Sequence, residues 1–239
     1  MPKIFFLLLA LGITLSNLQA KNLKIAVVSG YKKPILKIIK LYEQKNEVEI
    51  DAIFGNTKQL LTQAKRIDLD IIIGGKNYLS KRGKLNFIKY QEIGIGKLVL
   101  AFSKKIELND FNQLTQKYIK KVAMPQPKRT IYGMSGQEFL INANLYEKVK
   151  ERLYIVTTPL QVATYLVANE VDVGIMNLTT TLANAERIGG YIEIPQKYYS
   201  KILIVAGVLP SCEKNVECKK IISFLDSKES KEIFREYGL

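Results

Sequence analysis

Leu23-Lys24-Ile25-Ala26-Val27-Val28-Ser29-Gly30 is the stretch whose reading decides the architecture. Its first six residues are mostly branched and apolar, as a strand requires, and the run breaks at Ser29-Gly30. From Pro34 onward the period changes. Ile35, Ile38, Ile39 and Tyr42 recur on one face of a helix, and the fixed φ of proline suits a first turn. A strand, a short turn of small residues and an amphipathic helix form the repeating unit of α/β architecture.

Working outward, the unit recurs. Val48 to Phe54 reads as a second strand ending at Gly55-Asn56-Thr57, where Asn56 or Thr57 can cap a helix carrying Leu60, Leu61 and Ala64. Asp70 to Gly75 is apolar almost throughout, as a buried parallel strand should be. Lys97 to Phe102 follows Gly94-Ile95-Gly96. Lys121 to Met124 leads through Pro125-Gln126-Pro127 into Tyr132-Gly133 and a helix reaching about Tyr146. Ile155-Val156 meets Thr157-Thr158-Pro159 and a helix with Val162, Leu166 and Val167 turned inward. Val171 to Met176, a segment from Thr179 to Arg187, a stop at Gly189-Gly190 and a strand from Ile202 to Val208 come next. One or two helices between Cys218 and Tyr237 close the chain.

Three strand ends are followed by hydroxyl or small residues and then by a helix: Ser29-Gly30, Gly55-Asn56-Thr57 and Thr157-Thr158-Pro159. Each alone is most simply a helix cap. In open α/β sheets, however, ligands bind beyond the carboxyl ends of strands. Helix starts there present unpaired N–H groups to anions. Three such turns in one exported chain point to an anion site.

Bulk properties set the compartment. Lys3 precedes an apolar run from Ile4 to Ile13 and a polar stretch ending Leu18-Gln19-Ala20, the pattern of a secretory signal peptide over residues 1–20. The run is too short for a permanent membrane anchor. The mature chain is expected to begin near Lys21 or Asn22, and no cysteine stands at the cleavage point for lipid attachment. In an oxidising compartment, a disulfide is the favoured reading of Cys212 and Cys218, in a polar loop near the surface. The chain has no histidine, which argues against a metal site. Its net charge of +14 is spread along the sequence rather than gathered into a basic block, so nucleic acid is not an expected partner. At most, that field steers a small anion.

Several of these segments carry a family resemblance. Val28-Ser29, Phe54-Gly55-Asn56-Thr57, Asp70 to Ile73 and Gly96 to Leu100 fall in order with Pro127 to Gly133, Thr157 to Val162, Val173-Gly174-Ile175 and Glu232 to Gly238. Together they resemble the molybdate-binding proteins of molybdate-importing ABC transporters, members of the two-lobed periplasmic-binding superfamily. The resemblance implies an α/β fold with a mixed sheet flanked by helices in each lobe. It places residues 21–95 and 201–239 in lobe I, 96–200 in lobe II, and hinges near Gly94-Ile95-Gly96 and Tyr191 to Lys201. It also implies a monomeric periplasmic binding protein, not an enzyme, that hands molybdate or tungstate to an inner-membrane ABC permease. No cofactor is implied, and molybdenum or tungsten enters only within the oxyanion.

Carried over residue by residue, the family's hydroxyl donors match Ser29 and Thr57, and its backbone amide donors match Tyr132 and Val162. Its tyrosine donor corresponds to Asn177, a shorter amide. That departure, with a charged Arg129 beside the turn, keeps open another oxyanion such as sulfate or phosphate, or a small organic anion. A secreted hydrolase using Ser135 is a remote alternative. No histidine exists to act as its base, and Gly133-Met134-Ser135-Gly136-Gln137 lacks the last glycine of a nucleophile elbow. Asp68 and Asp70 read as solvent contacts.

Overall fold

The computed structural model of the chain describes residues 22–82 and 84–239; the expected signal peptide lies outside the described residues. The alternation read from the sequence folds into two separate five-stranded sheets. The first half supplies β1 (Leu23–Val28), α1 (Lys32–Asn46), β2 (Ile50–Gly55), α2 (Thr57–Gln63), β3 (Ile71–Gly75), α3 (Lys76–Arg82), β4 (Lys89–Gly96) and β5 (Leu98–Phe102). Then follow β6 (Val122–Pro125), α4 (Ile131–Asn142), α5 (Tyr146–Val149), β7 (Leu153–Val156), α6 (Pro159–Val167), β8 (Val173–Asn177), α7 (Leu178–Leu182), β9 (Gly190–Glu193), β10 (Ile202–Val208), α8 (Val216–Leu225) and α9 (Lys228–Glu236).

The sheets share one plan. Lobe I is ordered β2-β1-β3-β10-β4 and lobe II β7-β6-β8-β5-β9. In lobe I, β1 lies parallel to β2 and β3, with β10 antiparallel to β3 and β4. In lobe II, β6 lies parallel to β7 and β8, with β5 antiparallel to β8 and β9. Each sheet therefore borrows one antiparallel strand from the far side of a crossover. Only Lys97 separates β4 from β5 at the first crossing, and residues 194–201 make the second. Tyr199 in the second crossing accepts the Leu98 N–H at 3.0 Å, which ties the crossings together.

Burial explains why the central strands were readable. β3 and β5 are buried at every position, and a single apolar core runs from β1 and α1 through Leu98 and Ile202 into α4. A second core sets α6 on β5 and β8, and a third sets α2 and α3 on lobe I. β4 and β9 are edge strands with exposed and half-buried positions, and α3 is a single short helix after Gly74-Gly75. Cys212 and Cys218 form a disulfide. It does not lie near the surface as expected: both cysteines are buried in the main core. Asp70 is not a solvent contact either. It is buried, and its carboxylate accepts the Lys24 N–H at 2.9 Å.

Candidate functional site

Four turns meet between the lobes, one after each of β1, β2, β6 and β7. They enclose a small cavity of about 30 Å³ lined by residues 28–31, 55–57, 130–132 and 158–159, with Gly75 and Tyr78. No charged side chain is among the lining residues. The lobes touch beside it. Tyr78 on α3 of lobe I donates to the Thr130 carbonyl of lobe II at 3.2 Å. A Cβ on Gly75 would meet Ile131 at 2.6 Å, so the absence of a side chain there lets the lobes approach.

Two hydroxyls on this cavity have no hydrogen-bond partner among the described residues. Asn56, not Thr57, caps α2. Its side chain accepts the Gln59 N–H at 3.0 Å while the Gln59 side chain accepts the Asn56 N–H at 3.0 Å. This reciprocal box leaves the Thr57 hydroxyl unused. Ser29 opens a single 3₁₀ turn whose cap position, Val28, offers no side-chain bond, so the Ser29 hydroxyl is also unspent. Lobe II differs. The Thr130 hydroxyl accepts the Gly133 N–H at 2.9 Å, and that of Thr158 accepts the Gln161 N–H at 3.2 Å. The Thr130 proton is in turn spent on the Gln126 carbonyl at 3.2 Å, whereas Thr158 acts in its cap only as an acceptor and keeps its proton.

Tyr132 is the second residue of α4, so its N–H belongs to the first-turn donors that a helix leaves unpaired. Its ring runs back toward the crossover, where a Cβ on Gly96 would collide with its hydroxyl. There Tyr31 donates to the Tyr132 oxygen at 3.0 Å, bridging the lobes. Burial, with its neighbour, holds Tyr31 well above the usual phenol range, and burial raises Tyr132 likewise. Both stay protonated donors near neutrality, and one of the two phenolic protons remains free to donate.

The two remaining expected residues sit behind the cavity. Val162 lies one turn inside α6, its side chain in the lobe II core and its N–H bonded to the Thr158 carbonyl at 3.3 Å, which occupies the amide proposed as a donor. The helix begins at Pro159, capped by Thr158, three residues before the position that the expectation took as its start. Asn177 is fully buried at the end of β8. Its Nδ2 donates to the Gly30 carbonyl at 3.3 Å, Thr180 donates to the same carbonyl at 3.4 Å, and Asn177 Oδ1 has no partner. Asn177 thus braces the Ser29-Gly30 turn from the opposite lobe. Ser29, Thr57 and Tyr132 are brought together on one cavity; Val162 and Asn177 support its walls. The cross-lobe contacts of Tyr31 and Tyr78 had no sequence signal, because their partners lie 101 and 52 residues away in the chain.

Two lobes joined by two crossings, with helix starts converging on a small interlobe cavity, define a solute-binding architecture. The chain belongs to the bacterial extracellular solute-binding protein family, whose model matches residues 23–239, and it is therefore a binding protein rather than an enzyme. It is 21% identical over 237 residues to the molybdate-binding protein ModA of Azotobacter vinelandii, covering 96% of this chain and 94% of that one. A shorter match to an ABC transporter substrate-binding lipoprotein of Bacillus subtilis, 26% identical over 118 residues, spans about half of each chain, 49% and 45%. The solved A. vinelandii periplasmic molybdate-binding protein superposes with a TM-score of 0.79 at 19% identity over 91% of this chain and 98% of that one. L-phospholactate-bound PEB3, a Campylobacter jejuni protein, superposes with a TM-score of 0.75 at 17% identity over the same shares.

Proposed function

We propose that the protein captures a tetrahedral oxyanion, molybdate or tungstate, between its lobes in the periplasm and delivers it as a monomer to an ABC permease. The observation that carries this reading is the cavity: small, set between the lobes, free of charged side chains, and bordered by the uncommitted hydroxyls of Ser29 and Thr57. A desolvated dianion needs its oxygens saturated with hydrogen bonds. Bonds to a charged group contribute about 1.5–3 kcal/mol each, so five or six can offset the lost water. Ser29, Thr57, the first-turn N–H groups of α2 and α4 and a phenolic proton at the Tyr31–Tyr132 pair supply that number. Fixed donors also disfavour ligands whose own protonated oxygen would face another donor.

The molybdate-binding relatives support the choice of ion. L-phospholactate, held by PEB3, likewise ends in a tetrahedral oxyanion, so the shared fold is compatible with either head group. Thermal melting against molybdate, tungstate, sulfate and phosphate tests the proposal. At a hundredfold excess over Kd, binding adds about 2.7 kcal/mol, or roughly 5–10 °C for a chain of this size. No shift with molybdate or tungstate would remove it.

A further inference from the structure

Each lobe carries a cation next to its cavity residue: Lys58 follows Thr57, and Arg129 precedes Thr130. Both line the two grooves outside the closed cleft, cavities of about 490 Å³ and 450 Å³. Lys65 and Lys128 border the second groove. Among the described residues no aspartate or glutamate lines either groove, and neither Lys58 nor Arg129 is in an ion pair. Lys58 and Arg129 therefore come from opposite lobes to border the same grooves, neither of them held by an ion pair among the described residues. Unlike charges there would attract, whereas like charges repel and oppose closing. A negative group between them reverses the sign, so it binds the shut form better than the open one, which is what draws a cleft closed.

The inner cavity does not use these cations. It shares Asn56 and Thr130 with one groove and Thr57 and Tyr78 with the other, so a substituent on an oxyanion seated inside leads outward past Lys58 and Arg129. We propose that the groove at Lys58 and Arg129 is a second anion subsite, filled by a carboxylate carried on the same ligand as the oxyanion. The substrate class widens from bare oxyanions to small organic acids bearing a tetrahedral oxyanion head and a separate negative group. This rests on the oxyanion reading of the inner cavity.

Calorimetric titration of the full mature chain decides it, using molybdate, methylphosphonate, phosphonoacetate, and an equimolar mixture of methylphosphonate and acetate. The wild type is compared with the Lys58→Gln/Arg129→Gln double variant. Phosphonoacetate is expected to bind about ten times tighter than methylphosphonate in the wild type. That advantage should vanish in the variant, while molybdate affinity stays within about twofold. If phosphonoacetate is no better than methylphosphonate while molybdate binds, the second subsite is excluded and the oxyanion reading stands. If no oxyanion binds, both fall. If the mixture reproduces the gain, or if molybdate weakens in the variant as much as phosphonoacetate does, the cations serve a separate ion or a general field, and the inference is overturned.

Discussion

On the lobe I rim, the residues after β1 and β2, Ser29 and Thr57, carry hydroxyls with no partner among the described residues. On the lobe II rim, the residues after β6 and β7 carry hydroxyls already committed to helix caps, Thr130 and Thr158. These are corresponding positions in sheets of identical strand layout. The difference lies in where the cap is placed. Asn56 caps α2 from one residue before Thr57 and frees it, whereas Thr130 and Thr158 are themselves the caps. In the proposed site, lobe I thus offers two uncommitted hydroxyls, while lobe II offers first-turn N–H groups on a capped frame and one spare hydroxyl proton, at Thr158.

The sharpest break of that contrast is to remove the lobe I donors. Ser29→Ala and Thr57→Ala each delete a hydrogen bond of about 1.5–3 kcal/mol to a charged ligand, so each should lower oxyanion affinity about tenfold or more. The double variant should lose about a hundredfold or more by titration, with its melting temperature nearly unchanged. Next in size is the lobe II frame. A Cβ at Gly133 would stand 2.4 Å from the Pro125 carbonyl oxygen and 2.6 Å from the Gln126 backbone. Gly133→Ala should therefore cost about 3 kcal/mol, seen as a fall in melting temperature of roughly 5–10 °C. Smaller again is Thr130→Ala. It removes a cap worth about 1 kcal/mol and should lower the melting temperature by about 2–4 °C, with affinity little changed. If it instead weakens binding as much as Ser29→Ala does, the two rims are not different in kind.

The smallest expected effect is on pH. Burial raises both Tyr31 and Tyr132, so the folded chain keeps their protons where the unfolded chain would release them. Their stabilising contribution is complete below an ordinary phenol pKa of about 10 and declines as pH rises above it. Oxyanion affinity should be flat from about pH 7 to 10 as far as these phenols are concerned. A titration series that shows affinity falling in that window, and losing the fall in Tyr31→Phe, would place an ionised phenol at the cavity.

Much of this fold was legible because its central strands are apolar on both faces: Ile71-Ile72-Ile73 and Leu98 to Phe102 admit no other placement. The edge strands were not. Lys89 to Gly96 alternates poorly, includes two glycines and shifts register where it pairs with Ile204 and Val205, so its pattern resembles a loop. Gly190 to Glu193 begins at a glycine that reads as a stop. Among the candidate residues, Ser29 and Thr57 were accessible because a hydroxyl at a strand end is a local feature. Asn177 was readable as a position but not as a role, since its partner, Gly30, lies 147 residues away in sequence. The buried disulfide was legible as a pair, while its depth depended on packing against Ile221 and Leu225 that spacing does not reveal.

The two bonds reaching from Asn177 and Thr180 to the Gly30 carbonyl carry a consequence for unloading. The turn that presents Ser29 is steadied by side chains belonging to the other half of the molecule. On the proposed function, halves parting at the permease would cost a bound ion more than the donors on the retreating side. The loop still touching the ion would then be left without its brace, so that release would accompany opening with no separate ejecting group.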